Sequence, residues 1–356
     1  MNSRIAIIDC SVPVNTRNQK IIDSITKFLP TKEVHVITWN RDGRVLENNP
    51  YYHVYEKVAP YADYRAKLLG MKGFRSFIGQ SLKKIQPSII IVSHWSNLIL
   101  TAGFKKDGQK LVYENLDIPT GSGIIRLVSS LLERNALRNV DLIIHASRFF
   151  RPLYKMNIPQ VVLENKPIFA SDFSTIPARY PFRIAFIGSI RYKHILKNLV
   201  DAVKDDKRFE LFFHGSGEDL DAITEYCNGM PNVYITGAYS YSKVKELYHN
   251  SDLIWAAYPS EDYNAIYAIS NKFHESLYVG VPCVYSKNTK LAEFVEKENL
   301  GFVVNPYSVD EIRSLFDDIV SGKQSLEKVK ESMLTYMKKE SSWDDDFCAV
   351  LNYIKD

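Results

Sequence analysis

The sequence predicts two consecutive α/β domains, each a parallel sheet covered by helices. Three observations carry the prediction. Short, continuous apolar runs alternate with longer amphipathic stretches along the chain, as strands buried on both faces require. At 356 residues the chain is long for one core and comfortable for two of roughly 150–200 residues each. The periodic pattern breaks at Ser171–Pro181, where two prolines and small polar residues mark a linker. The domains are therefore expected at 1–170 and 182–341, with a ligand held between them at the carboxyl ends of the strands.

Taken in order, the strands expected in the first half are Ile5–Ile8, Val34–Thr38, Ile89–Val92, Lys110–Tyr113, Leu142–His145 and Val161–Leu163. In the second half they are Arg183–Ile187, Glu210–Phe213, Val233–Ile235, Leu253–Ala256, Cys283–Tyr285 and Phe302–Val304. Helical periodicity covers Lys243–Asn250, Asn271–Val279, Thr289–Glu298 and Val309–Ser321. The clearest unit is Ser270–Ser286. Ser270 or Asn271 caps its helix, Gly280 supplies a left-handed stop, and Pro282 forbids continuation. Amides at that helix start suit an anion, and Glu275, four residues after Asn271, suits hydroxyls on the same ligand. An ordinary αβ unit with a solvated glutamate is the alternative.

Composition narrows the class. Hydrophobic residues make up 46% and charged residues 24%, which is globular and not disordered. Forty-five basic against 41 acidic residues give a net charge of +4, too mild to imply nucleic acid. Cys10, Cys227, Cys283 and Cys348 show no paired spacing for zinc or a redox motif. Most lie in apolar runs as free thiols, which fits a reducing cytosol. The run at Ile5–Ile8 is too short for a signal peptide, and none approaches the ~18 residues of a membrane span. A cytoplasmic protein is expected.

The second half carries the stronger motifs. Arg183–Gly188 ends in Gly-Ser-Ile-Arg-Tyr-Lys, so Arg191 and Lys193 overhang a strand end where they suit a pyrophosphate; a solvated basic loop is the alternative. Phe212–Glu218 and Val233–Tyr239 are further strands ending in glycine, at Gly215 and Gly237, and Tyr239 or Tyr241 is placed to flank a base. Next come a helix into Ser251-Asp-Leu-Ile and then Asn271-Lys-x-x-Glu-x-x-x-x-Gly-Val-Pro-Cys-Val. In this order and spacing the pieces resemble the donor-binding domain of GT-B glycosyltransferases, specifically the retaining glycosyltransferase family four. Ser342–Tyr353 resembles that family's closing helix, which crosses back to the N-terminal domain. The resemblance is specific over 183–356 and looser over 1–170.

What it implies can be placed residue by residue. Arg191 and Lys193 match the basic pair on the nucleotide-sugar diphosphate, with Lys197 a rival for the lysine because the loop is short. Gly188 and Gly215 border the donor. Glu275 matches the second glutamate of the family's Glu-x7-Glu motif, which binds ribose hydroxyls. The first glutamate's position holds Tyr267, and Ala268–Lys272 replaces the glycine-rich loop. Ser270, Asn271, Lys272 and the helix-start amides are then expected to take over sugar and phosphate contacts. The resemblance implies a UDP-sugar donor, no cofactor, no metal, and a leaving phosphate that itself takes the acceptor proton.

In the first half, the turn Asp9–Asn18 offers Asn15, Thr16 and Arg17 to donor or acceptor, with loop capping the alternative. His94 follows a buried strand, as do Glu114 and Asp117, which are placed to hydrogen-bond an acceptor hydroxyl or to hold a structural turn. Between Lys57 and Lys84 seven cations interleave with Leu68, Leu69, Met71, Phe74, Phe77 and Ile78 against the single acid Asp63. Such a basic amphipathic stretch reads as contact with an anionic membrane or a polyanionic acceptor; a core-packed helix with a solvated basic face is the alternative. The expected activity is sugar transfer to a glycan, lipid-linked, in bacterial surface polysaccharide biosynthesis. A noncatalytic GT-B subunit and a sugar-nucleotide epimerase are the alternatives.

Overall fold

The computed structural model describes residues 4–45, 47–59, 64–120, 123–173 and 177–355, with the backbone alone over 64–68. The chain divides into two compact units, 1–165 with 343–356, and 166–342. The chain thus leaves the first unit ahead of the expected linker. Asp172 N and Ser171 Oγ already donate to Tyr278 O in the second unit, at 2.9 and 3.0 Å.

The first unit contains β1 (Arg4–Ile8), α1 (Thr16–Phe28), β2 (Glu33–Trp39), β3 (Tyr52–Tyr55), α2 (Tyr64–Ile85), β4 (Ile89–Ser93), α3 (Trp95–Thr101), β5 (Lys110–Asn115), α4 (Gly123–Ala136), β6 (Leu142–His145) and β7 (Gln160–Val162). Its strands pair in parallel in the order β3-β2-β1-β4-β5-β6-β7. Ile5, Ile7, Ile89, Ile91, Val112 and Ile144 form the sheet side of a core that α1 completes through Ile21 and Ile25.

The second unit contains β8 (Phe182–Ile187), α5 (Lys193–Val203), β9 (Phe209–His214), α6 (Leu220–Tyr226), β10 (Val233–Gly237), α7 (Val244–His249), β11 (Leu253–Trp255), α8 (Tyr263–Tyr267), α9 (Asn271–Val279), β12 (Cys283–Ser286), α10 (Lys290–Glu298), β13 (Phe302–Val304), α11 (Val309–Val320) and α12 (Leu326–Met337). Its parallel order is β10-β9-β8-β11-β12-β13. The order reverses between β8 and β11, and in the first unit between β1 and β4. These switch points are where open α/β sheets bind ligands, beyond the strands' carboxyl ends.

The last helix, α13 (Trp343–Ile354), belongs to the first unit. Trp343, Phe347, Val350 and Ile354 recur at helical spacing and enter the core beside Ile21 and Ile25. Trp343 Nε1 donates to Ser24 Oγ at 2.9 Å.

Every run read as a strand is a strand, with ends shifted by a residue or two. Sequence reasoning passed over β3. Its Tyr-His-Val-Tyr run is short, mixed in polarity and half-buried along its length on the sheet edge, so it lacks the continuous apolar signal of the interior strands.

Candidate active site

At the switch point of the second unit the strand ends are built from glycine. Gly188 (φ +138°) follows β8 and Gly215 (φ +147°) follows β9. A Cβ on Gly215 would stand 1.8 Å from Gly188 O, and one on Gly217 would stand 2.2 Å from Ile190 O. The two turns are laced together by Gly188 N–H to His214 O at 2.8 Å and Ile190 N–H to Ser216 O at 2.9 Å. No side chain fits between them, so a ligand there meets backbone.

The helix α9 points its first turn at this place. Ser270 caps it by accepting from Lys272 N at 3.3 Å, and Gly280 ends it at φ +75° with its N–H on Ser276 O. Lys272, in the first turn, is 5% exposed. Its Nζ lies 3.3 Å from where a Cβ of Gly188 would stand. It donates to Tyr258 Oη at 2.5 Å and lies over the Phe186 and Tyr258 rings at 4.9 and 5.0 Å. Among the described residues no carboxylate pairs with it. A buried ammonium normally has a counter-charge.

One turn further along, Glu275 is buried. Its Oε1 accepts from Tyr241 Oη at 3.2 Å and its Oε2 from Tyr248 Oη at 2.8 Å. Burial, followed by the nearby Glu275 charge, pushes the Tyr239 phenol up to about 12 and raises Tyr241 and Tyr248 further. These phenols therefore stay protonated and act as donors. Each carboxylate oxygen keeps room for another hydrogen bond, because an ionised carboxylate offers about four acceptor positions.

The remaining expected donor residues divide. Arg191 is exposed on the β8–α5 loop, its guanidinium 5.0 Å from the Tyr192 ring, and that ring meets the Tyr258 ring edge-on at 6.2 Å. Lys193 opens α5, exposed, with its N–H on Asp219 Oδ2 at 2.9 Å. Lys197 is turned the other way, with Nζ 4.3 Å from the centre of the Tyr226 ring on α6. Asn271 is exposed at the first position of α9. Tyr267 ends the short helix α8, capped by Asp262, immediately before Ala268–Lys272, the stretch read as replacing the glycine-rich loop. The partnership of Tyr248 and Tyr258 with this site was not anticipated; the chain has 22 tyrosines, and nothing local distinguishes these two.

At the switch point of the first unit, Asp9 follows β1 and accepts from Asn15 Nδ2 and Asn18 Nδ2, each at 2.9 Å. Asn15 caps α1, accepting from Asn18 N at 2.8 Å. Glu114 is fully buried, with Oε1 on Arg17 Nε at 2.6 Å and Oε2 bonded by Ser93 Oγ. It orders the ends of β4 and β5 and does not present a free carboxylate. His94 (φ +74°) caps α3 through Ser96 N, and Asp117 is half-buried in the following turn.

The described side chains of the segment Lys57–Lys84 divide: Leu69 is exposed and Met71 and Phe77 are half-buried. Phe74, Ile78 and Leu82 of α2 are buried, while Lys72, Lys83 and Lys84 are exposed. Arg75 donates to Leu100 O at 2.7 Å. The side chains of Asp63, Arg65, Lys67 and Leu68 lie outside the described residues.

The comparisons with known proteins now bear on this geometry. Residues 181–320, which span β8 to α11, match the family model described as "Glycosyl transferases group 1". The match lies wholly within the second domain and takes in all six strands of its sheet. Over the whole chain, sucrose-phosphate synthase from Thermosynechococcus elongatus superposes with a TM-score of 0.76 at 12% identity, covering 99% of this chain and 98% of that one. HepE of Anabaena, solved with UDP-glucose, gives 0.72 at 14% identity over 99% of each chain. The lipopolysaccharide outer core galactosyltransferase WaaB gives 0.65 at 13% identity over 98% of this chain and 99% of that one. At such identities the likeness shows the fold, two Rossmann-like domains of the GT-B type. A comparison with curated protein sequences finds no match. The glycine-lined strand ends, Lys272 and Glu275 of this glycosyltransferase all fall inside the family match.

Proposed function

We propose that this glycosyltransferase moves a sugar, with retention, from a UDP-sugar to a lipid-linked glycan at a membrane face, in bacterial surface polysaccharide assembly. The observation that carries the donor half is Lys272: a buried ammonium over a strand end made of glycine, with hydroxyl and ring partners but no carboxylate. A diphosphate is the counter-charge that fits, since Gly188 and Gly215 leave room for it and Arg191 stands on the adjoining loop. Glu275 binds the ribose hydroxyls with the acceptor positions that Tyr241 and Tyr248 leave open. Ser270 and Asn271 flank the phosphates.

In the reaction the bond between the anomeric carbon and the diphosphate oxygen breaks. The acceptor oxygen bonds to that carbon on the same face, and its proton passes to the departing phosphate. Lys272, Arg191 and Lys193 hold the charge that develops on the leaving group, which is where preorganised cations lower a barrier most. The chemistry asks for no carboxylate base. On the acceptor side, His94 and Asp117 keep exposure enough to meet a hydroxyl, while Asn15 and Glu114 hold the turn behind them.

Lys272→Met tests the reading, because it keeps the length of the side chain and removes the charge. Nucleotide release from UDP-, GDP- and other nucleotide sugars, with and without acceptor, should fall by roughly 10²–10³ in the variant, as for loss of one transition-state charge donor. Arg191→Ala should give a smaller loss, because that guanidinium is exposed. Wild-type turnover in Lys272→Met would overturn the assignment. A protein that binds UDP yet turns over no donor would instead be a noncatalytic subunit.

A further inference from the structure

The helix α4, Gly123–Ala136, is built inside out. Ile124, Ile125, Leu127, Val128, Leu131 and Leu132 are all exposed, Ile124 at 78% and Ile125 at 66%. At 100° per residue these six side chains fall within an arc of ~160°. Opposite the centre of that arc stands Glu133, a charged residue that a soluble helix would turn to water. It is instead 5% exposed, with Oε1 accepting from Tyr113 Oη at 2.8 Å and Tyr154 Oη at 2.7 Å. Those two bonds fix the rotation of the helix, so the apolar stripe cannot roll inward without breaking them.

A contiguous exposed stripe of this kind marks a docking surface, and the charges around it choose the occupant. Between Gly123 and Asn139 the sole acidic residue is Glu133, which faces the protein. Arg134, at the edge of the stripe, and Arg138, just past the end of the helix, are exposed; Arg126 is also exposed but projects opposite the centre of the stripe. A second copy of the same face would set arginines against arginines. An anionic lipid surface meets both features, taking the aliphatic stripe among its acyl chains and the guanidinium groups among its phosphates.

We propose that α4 docks this protein on an anionic membrane surface, lying in the plane of the interface with Ile124, Leu127, Val128 and Leu131 inserted. The inference deepens the reading of a lipid-linked acceptor and rests on it for a lipid rather than a protein surface. It also places the larger apolar face on α4 and not on α2, where Phe74, Ile78 and Leu82 are in the core and Leu69 is the one exposed apolar side chain among those described.

The test is co-sedimentation of the full chain with vesicles of phosphatidylcholine containing phosphatidylglycerol. The wild type should pellet with them, and Ile125→Ser with Leu127→Ser and Leu131→Ser should weaken partitioning by at least ~10-fold, since each removes several buried methylene equivalents. Lys83→Gln with Lys84→Gln on α2 should leave it unchanged. In Leu131→Trp the added indole should shift its emission to the blue when vesicles are mixed in. Undiminished pelleting of the triple serine variant, or a wild type that stays in the supernatant, overturns the proposal. So does a dimer in sedimentation equilibrium that the serine variant dissolves while neither protein binds vesicles. Turnover of soluble donor separates the two readings: lost vesicle binding with intact turnover removes the membrane face alone, and the reverse removes the transferase alone.

Discussion

The two switch points have the same topology and opposite electrostatics. In the first domain one buried pair of charges, Glu114 and Arg17, is tied into a polar chain: Asp9 is held by the amides of Asn15 and Asn18, and Asn18 accepts from Ser93. Ser93 Oγ also lies against Glu114 Oε2, its one proton serving Asn18 or Glu114 at a time, and Glu114 pairs with Arg17, which lies 5.6 Å from the centre of the Trp343 ring. In the second domain Glu275 is held by tyrosines, but Lys272 has no carboxylate among the described residues. The first site still holds Arg17 Nη1 and Nη2 buried without a hydrogen-bond partner among the described residues, so what separates the two is that its cation has a paired carboxylate and Lys272 has none. The difference separates a polar network that stabilises a fold from one that waits for a ligand.

The largest expected effect breaks that contrast at its paired end. Glu114→Ala leaves Arg17 buried with no carboxylate, and losing one partner of a buried pair costs about 3–5 kcal/mol. Lys272→Met should do the opposite. Removing a buried cation that lacks a counter-charge should leave stability unchanged or raise it, even as turnover collapses. Hydrogen exchange followed by mass spectrometry reads each domain separately, which matters because a two-domain chain need not unfold in one step. Comparable losses in both variants would show that the two networks are not different in kind.

A second comparison sits among the glycines. Gly215 and Gly322 both have positive φ, but a Cβ on Gly322 meets nothing within 4 Å, whereas on Gly215 it would fall on Gly188 O. Gly322→Ala should therefore cost only the left-handed penalty of roughly 1–2 kcal/mol. Gly215→Ala should add a backbone displacement on top, for roughly 3 kcal/mol in all, and should weaken donor binding because the shift opens the Gly188 turn. Equal unfolding midpoints for the two variants in urea would mean that the β8 and β9 turns do not need their close approach.

Much of this was legible before any coordinates. Interior strands announce themselves because both faces are buried, and the cap at Ser270, the stop at Gly280 and the glutamate at position 275 follow from local chemistry. What was hidden depends on distance along the chain. Glu275 meets Tyr241 and Tyr248, 34 and 27 positions away, and Lys272 meets Tyr258 across 14; no local pattern picks those partners. Periodicity also cannot say which side of a helix faces the protein. In α2 the interleaved cations suggested a membrane face, although Phe74, Ile78 and Leu82 line the core and Leu69 alone of its described apolar residues is exposed. In α4 the stripe that faces outward was passed over.

The smallest effect sharpens the comparison through one histidine in each domain. His145 ends β6, and burial lowers its pKa to about 4; with Asn115 Nδ2 3.1 Å from Nδ1 and Gln160 Oε1 2.8 Å from Nε2, both ring nitrogens are engaged in the neutral form. His214 ends β9 and is also lowered by burial, with Thr236 Oγ1 2.7 Å from its Nδ1. A depressed folded pKa means stability that is fully present above the unfolded value near 6.5 and is lost as pH falls toward the folded one. For His145 the loss between pH 7 and about 5.5 comes to about 1 kcal/mol, the first part of a window that ends near the folded value. His145→Gln, which keeps an acceptor and a donor, should flatten that part of the pH dependence in the first domain while leaving the second domain's slope in place. If acidification instead loosens the second domain first, His214 is the more tightly held neutral ring, and the polar network of the first domain is not what sets its acid tolerance.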